Sequence, residues 1–188
     1  SLEISIQAIV IVVLAMTLLG LGLGFIKGMF GNITKLSEST FGKIEEQLQR
    51  DLVSSNEKLV FSQTKINIER GKSVLLGWGI KNNGIGVLNY NVQFNPISCP
   101  GTTSGTTGIC TTAQSSAAKN WFVYKNTPGT APYRVDDASQ KVERIDLNVQ
   151  RDTAAGPGLY LIEMAVYRGT TTTATDLYEK IDIFITVT

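Results

Sequence analysis

The sequence contains no histidine. That absence excludes a Ser-His-Asp triad, a Cys-His nucleophile pair and the commonest zinc ligand. Cysteine is scarce as well: there are two, too few without histidine for a good metal site. Charge is thin, with Asp, Glu, Lys and Arg at 18 % of the chain where about 25 % is usual. Neither sign dominates, since 17 basic and 16 acidic residues leave a net charge of +1. Phosphate backbones call for a clustered basic excess, so nucleic acid is not an expected partner. No Gly-rich phosphate loop followed by Lys-Ser/Thr is present. The chain is therefore expected to be no enzyme and to use no cofactor. Proline is low at 5 in 188 residues, whereas glycine is high at 18.

What the sequence does have is a long uncharged run. Between Ile4 and Ile26 only Ser5, Gln7 and Thr17 carry polar side chains. As a helix at 1.5 Å per residue this run would extend roughly 35 Å, which predicts a membrane-competent helix. A secretory signal would have a basic start, a shorter apolar core and a small-residue cleavage site. Here the first residue is Ser1 and no basic residue precedes Lys27, so a mature chain stripped of a short basic leader is expected. Lys27, Lys35, Lys43 and Arg50 follow the run, which by the positive-inside rule would hold the rest in the cytoplasm unless such a leader preceded it. Glu3 gains from the helix macrodipole and has the α-amine of Ser1, its own or a neighbour's, as its nearest cation. The other reading of Glu3 is an interfacial residue among headgroups. Gly20, Gly24 and Gly28 recur every four residues, on one helix face, which fits close helix packing or a bend.

The helical pattern continues. Leu36, Phe41, Ile44, Leu48 and Leu52 fall mostly at three- and four-residue steps, with Lys43, Glu45, Glu46 and Gln49 on the other face. One helix over roughly residues 2–55 is predicted, about 80 Å long. From Lys58 the period becomes two. Leu59 to Ile68, Val74 to Ile80, Val87 to Phe94, Trp121 to Tyr124, Val142 to Val149, Leu159 to Tyr167 and Leu177 to Val187 read as strands. Asn82-Asn83-Gly84 and Gly156-Pro157-Gly158 read as turns. With no helical run between the strands, an antiparallel β-sandwich is expected. The domain division is 1–57, a helix apolar over 4–26 and amphipathic over 34–55, and 58–188, the β-domain.

Residues 100–118 are mostly Gly, Thr, Ser and Ala, an exposed loop by composition. Cys99 and Cys110 bracket its first half and suggest a disulfide. Asn32-Ile33-Thr34 is an N-glycosylation sequon, placed just past the apolar run. Asp136, Asp137 and Glu143 are candidates for an acid pair or calcium site, but a solvated turn fits them better.

A start at Ser1 followed directly by an apolar helix, an early Glu, an amphipathic extension and a β-domain resembles a type IV pilin. The β-domain, with Gly156-Pro157-Gly158-Leu159-Tyr160, looks most like the archaeal members, which include adhesive pilins and archaellins. The resemblance covers the whole layout and is most specific up to about Phe30. It implies an α+β fold, a long N-terminal hydrophobic α-helix followed by an antiparallel immunoglobulin-like β-sandwich head. It implies a leader removed by a prepilin peptidase, insertion in the membrane before assembly, and extraction by a pilus assembly machine. Copies of the chain would then polymerise into an extracellular helical filament for adhesion, with apolar helices as the core. Gly20, Gly24 and Gly28 would form a packing seam, and Ser1 and Glu3 the N-terminal charge pairing; Asn32 is a glycan candidate by its sequon alone. An archaellin, or a single-pass surface binding module, are the alternatives.

Overall fold

The computed structural model describes residues 6–101, 107–125, 133–151, 154 and 156–188; of residues 6, 24–38 and 107 it describes the backbone alone. Two compact units result, Ser1–Thr40 and Phe41–Thr188, and the division falls inside the first helix. That helix, α1, runs from Ile6 to Ser54.

The second unit is a sandwich of two sheets. One has four strands in the order β1 (Leu59–Phe61), β3 (Ser73–Lys81), β8 (Gln140–Asn148), β6 (Phe122–Val123). The other runs β2 (Lys65–Ile68), β10 (Leu177–Val187), β9 (Gly158–Arg168), β4 (Leu88–Pro100), β5 (Thr107–Gly108), and β7 (Tyr133–Val135) also pairs with β4. Alternation decides which face is buried. Leu76, Trp78 and Ile80 of β3 are sealed inside, as are Ile145 and Leu147 of β8, Tyr160, Ile162 and Met164 of β9, and Ile183 and Ile185 of β10.

The outward face of β3 carries Gly77 and Gly79, and the last turns of α1 lie directly on it. A Cβ on Gly77 would meet Leu48 Cδ1 at 3.1 Å and Ile44 Cγ2 at 3.2 Å. A Cβ on Gly79 would meet Leu52 Cδ1 at 2.5 Å and Val60 Cγ2 at 3.1 Å. Ile44, Leu48 and Leu52 repeat every four residues along one helix stripe, so they enter the two glycine slots in sequence.

Several expectations are corrected. The fold is mostly β rather than α+β. Among the described residues no helix is long and apolar enough to cross a membrane, so the long hydrophobic, membrane-spanning helix does not stand. The sheets are not purely antiparallel either, because β2 pairs in parallel with β10, Lys65 opposite Phe184 and Ile68 opposite Val187. Nor is the segment before Trp121 all loop, since it contains a helix, α2 (Thr112–Lys119). Thr111 accepts from the Gln114 backbone and Gln114 reaches back to the Thr111 backbone, closing a capping box. Ala117 and Ala118 of α2 are buried.

The glycine slots predict opposite effects for two substitutions. Gly79→Val should lower the unfolding free energy by about 1–3 kcal/mol, since Leu52 has no room to retreat. Gly42→Ala, where a Cβ would meet nothing within 4 Å in α1, should raise it by about 1 kcal/mol. Urea denaturation of both variants measures the two shifts.

Candidate functional site

Nothing in the described structure assembles a reactive centre. No group of three or more His, Cys, Asp or Glu among the described residues is placed to hold a metal ion. The acidic candidates are dispersed: Asp136 is paired with Arg134 at 3.0 Å and Glu143 with Lys141 at 2.6 Å. Glu143 stands opposite Trp78 in the β3–β8 ladder. Trp78 and Tyr90 each touch the Tyr133 ring, edge-on at 5.5 Å and stacked at 5.1 Å. Burial, and after it the Glu143 carboxylate, pushes the phenols of Tyr90 and Tyr133 far above their ordinary value. These groups stay protonated, pack the core and have no proton to exchange near neutral pH.

Large apolar side chains stand uncovered among the described residues. From Ile9 to Leu23, each large apolar side chain of α1 is at least half exposed, between 50 % at Val10 and 72 % at Leu21. Residues 9–14 are six in a row, more than a full turn, so apolar surface covers the whole circumference rather than one stripe. Thr17 does not interrupt it, because its Oγ1 donates back to Val13 O at 3.0 Å and Leu14 O at 2.9 Å. The sandwich unit adds exposed Ile85, Val87, Ile97, Leu159 and Phe184.

The residues singled out in the sequence are placed as follows. Cys99 and Cys110 form a disulfide, with Cα atoms 4.9 Å apart, that ties the end of β4 to the residue before the α2 cap. Gly20 lies among the exposed apolar side chains, and a Cβ there would meet nothing within 4 Å. Gly24, Gly28 and Asn32 have helical backbone, but their surroundings lie outside the described residues, as do Ser1 and Glu3 entirely. Sequence reasoning missed Gly77 and Gly79, although both stand at the alternate positions of a clean strand pattern. It also took Asn82 only as a turn residue. Its side chain is buried: Nδ2 donates to Gly86 O at 2.8 Å and Asp136 O at 3.1 Å, and Oδ1 accepts from Gly84 N at 3.1 Å.

No protein-family model and no curated protein matches the chain. Solved structures are similar at low identity. A family 123 glycoside hydrolase from Clostridium perfringens matches with 12 % identity and a TM-score of 0.46, over 75 % of this chain and 25 % of its own. The chain thus spans about a quarter of that enzyme's length. PapD-like domain 7 of human CEP192 matches with 14 % identity and a TM-score of 0.40, over 69 % of this chain and 83 % of its own. The periplasmic chaperone SfaE matches with 10 % identity and a TM-score of 0.35, over 69 % and 55 %. With scores this low, these likenesses imply nothing about what this chain does.

Two measurements follow from the disulfide and the buried phenols. Replacing Cys99 and Cys110 by Ser should cost about 3 kcal/mol of stability, as expected for closing so short a loop, while the native chain shows no free thiol under denaturing assay. The phenols bind their protons more tightly folded than unfolded. Their contribution is complete below pH 10.0, the ordinary tyrosine value, and is lost as pH rises beyond it. Thermal midpoints should therefore fall above that pH, and less steeply in Tyr90→Phe.

Proposed function

We propose that this chain is a structural subunit of an extracellular filament of the archaeal type IV pilus kind, serving adhesion. It polymerises by burying residues 7–23 of α1 among the same residues of other copies. The observation that supports this reading is the uncovered apolar circumference from Ile9 to Leu23. Fully burying one Leu or Ile is worth about 1.5–3 kcal/mol. The eleven large apolar residues of that stretch together leave on the order of 20 kcal/mol uncollected in an isolated copy. A covering formed by one repeated, non-self-complementary contact continues indefinitely and makes a fibre rather than a closed ring. The sandwich unit has its own core and remains outside as the surface that meets a substratum. A prepilin peptidase and a pilus assembly machine are the further partners of this reading. Gly20 would allow close approach of neighbouring helices, as its position is open.

Electron microscopy of material sheared from cells, labelled with antibody to residues 60–188, tests this directly. Label along thin fibres is expected; label confined to the cell envelope would replace the filament with a surface binding module. Leu18→Lys should reduce fibre yield at least tenfold while the thermal midpoint of the sandwich is unchanged. A normal fibre yield from that variant would rule out α1 as the polymerising element.

A further inference from the structure

Two uncovered apolar features of the sandwich unit lie at opposite ends of β4. The first is a projection, the 82–87 loop between β3 and β4. Ile85 at its tip is 104 % exposed. The loop is nevertheless held in one shape. The hydrogen bonds of the buried Asn82 side chain close it, Asn82 N donates to Ser139 O at 2.8 Å, and Tyr178 Oη donates to Lys81 O at 2.6 Å at its foot. An apolar tip on a preorganised frame gives up little entropy when it docks.

The second feature is a shallow patch on the outside of the six-stranded sheet. Tyr160, Ile162, Ile183 and Ile185 point inward, so Leu159, Leu161 and Phe184 point outward. Phe184 is opposite Leu161 in the β9–β10 ladder, and Leu161 is opposite Ser98 beside the bulge that exposes Ile97. These four side chains adjoin one another near the Cys99 end of β4. From Leu88, next to the projection, to Ile97 is nine residues, about 30 Å of strand.

The rims match in charge. Arg168 is the charged residue lining the cleft beside Ile85 and Val87; its guanidinium lies over the Tyr178 ring, 5.1 Å from the ring centre, and takes part in none of the ion pairs seen among the described residues. On the patch, Asp182 precedes Phe184 by two residues on the same face. Its cross-strand neighbour Glu163 holds Lys180 at 2.8 Å, and the Asp182 carboxylate adds a weaker attraction on the same ammonium. The opposite match is there too. Lys65 stands beside Phe184 on the β2 side, and Asp137 follows the Asp136 carbonyl that holds Asn82.

We propose that the Ile85 projection of one copy docks on the Leu159, Leu161, Phe184 and Ile97 patch of the next copy, with Arg168 facing Asp182. Knob and patch are different surfaces, so the contact is head to tail and does not close on itself. It rests on the filament reading, and adds to the α1 contact a second one that joins the sandwich units, offset by about the length of β4.

The test uses the full chain assembled into fibres from a mixture of ordinary and 15N-labelled copies. A benzophenone side chain placed at position 85 is irradiated, and the captured peptide is identified by mass spectrometry. Capture between copies of a peptide containing Leu161 or Phe184 is expected. Ile85→Glu should raise the protein concentration needed for fibres at least tenfold, with unchanged thermal midpoint and no free thiol. Arg168→Asp should weaken fibres, and Arg168→Asp combined with Asp182→Arg should restore them. Fibres that form normally from Ile85→Glu, or capture at some other surface, overturn the docking and leave the filament reading intact. Absence of fibres from the unmodified chain overturns both.

Discussion

The seat of α1 on β3 is the contact on which the sandwich unit's architecture turns. A strand normally presents side chains to both faces, and a helix packed on a sheet then rides on top of them. At Gly77 and Gly79 the outer face of β3 is bare backbone, so Ile44, Leu48 and Leu52 sink into it. Leu48 and Leu52 are thereby 1 % and 0 % exposed although they belong to a helix whose other face is wet. The four-residue step of the leucines and the two-residue step of the glycines set the register between helix and strand. Only Gly admits that approach, because any Cβ at 79 would collide with the Leu52 side chain it is meant to hold.

Closing the sheet pair depends on less regular pieces. The parallel β2–β10 pairing covers one flank, and Phe184 N donating to Thr64 O at 2.7 Å extends it. On the other flank α2 and the short β6 stand beside β4, where the Phe94 and Phe122 rings stack at 4.0 Å. The disulfide fixes the start of α2 to the end of β4, so an element of eight residues, too short to persist alone, is ordered by its anchor and cap. The same corner supports the apolar patch at Ile97.

Among the described residues, large apolar side chains stand uncovered on several surfaces. The Thr17 hydroxyl and the Asn82 amide are satisfied internally, while apolar side chains remain open on α1, on the 82–87 loop and on the outer sheet face. Exposed apolar patches of this kind mark surfaces for association. A contact that joined two unlike surfaces of this kind would propagate rather than close.

The sequence by itself determined the elements that repeat. Helical spacing from Leu36 to Leu52 and the alternation of Val74-Leu76-Trp78-Ile80 were legible because each residue's face follows from its own position in the chain. The Cys99–Cys110 pairing was legible because just two cysteines exist. The Thr111-x-x-Gln114 cap was also written there, but the Gly, Thr, Ser and Ala around it read as loop. Tertiary structure alone decided the rest. It decided that Gly77 and Gly79 are slots rather than weak points, that β2 runs parallel to β10, and that Asn82 frames a loop instead of merely turning it. Each of these depends on which distant segment lies opposite. A glycine, an asparagine or an edge strand carries no local pattern that says what it will meet.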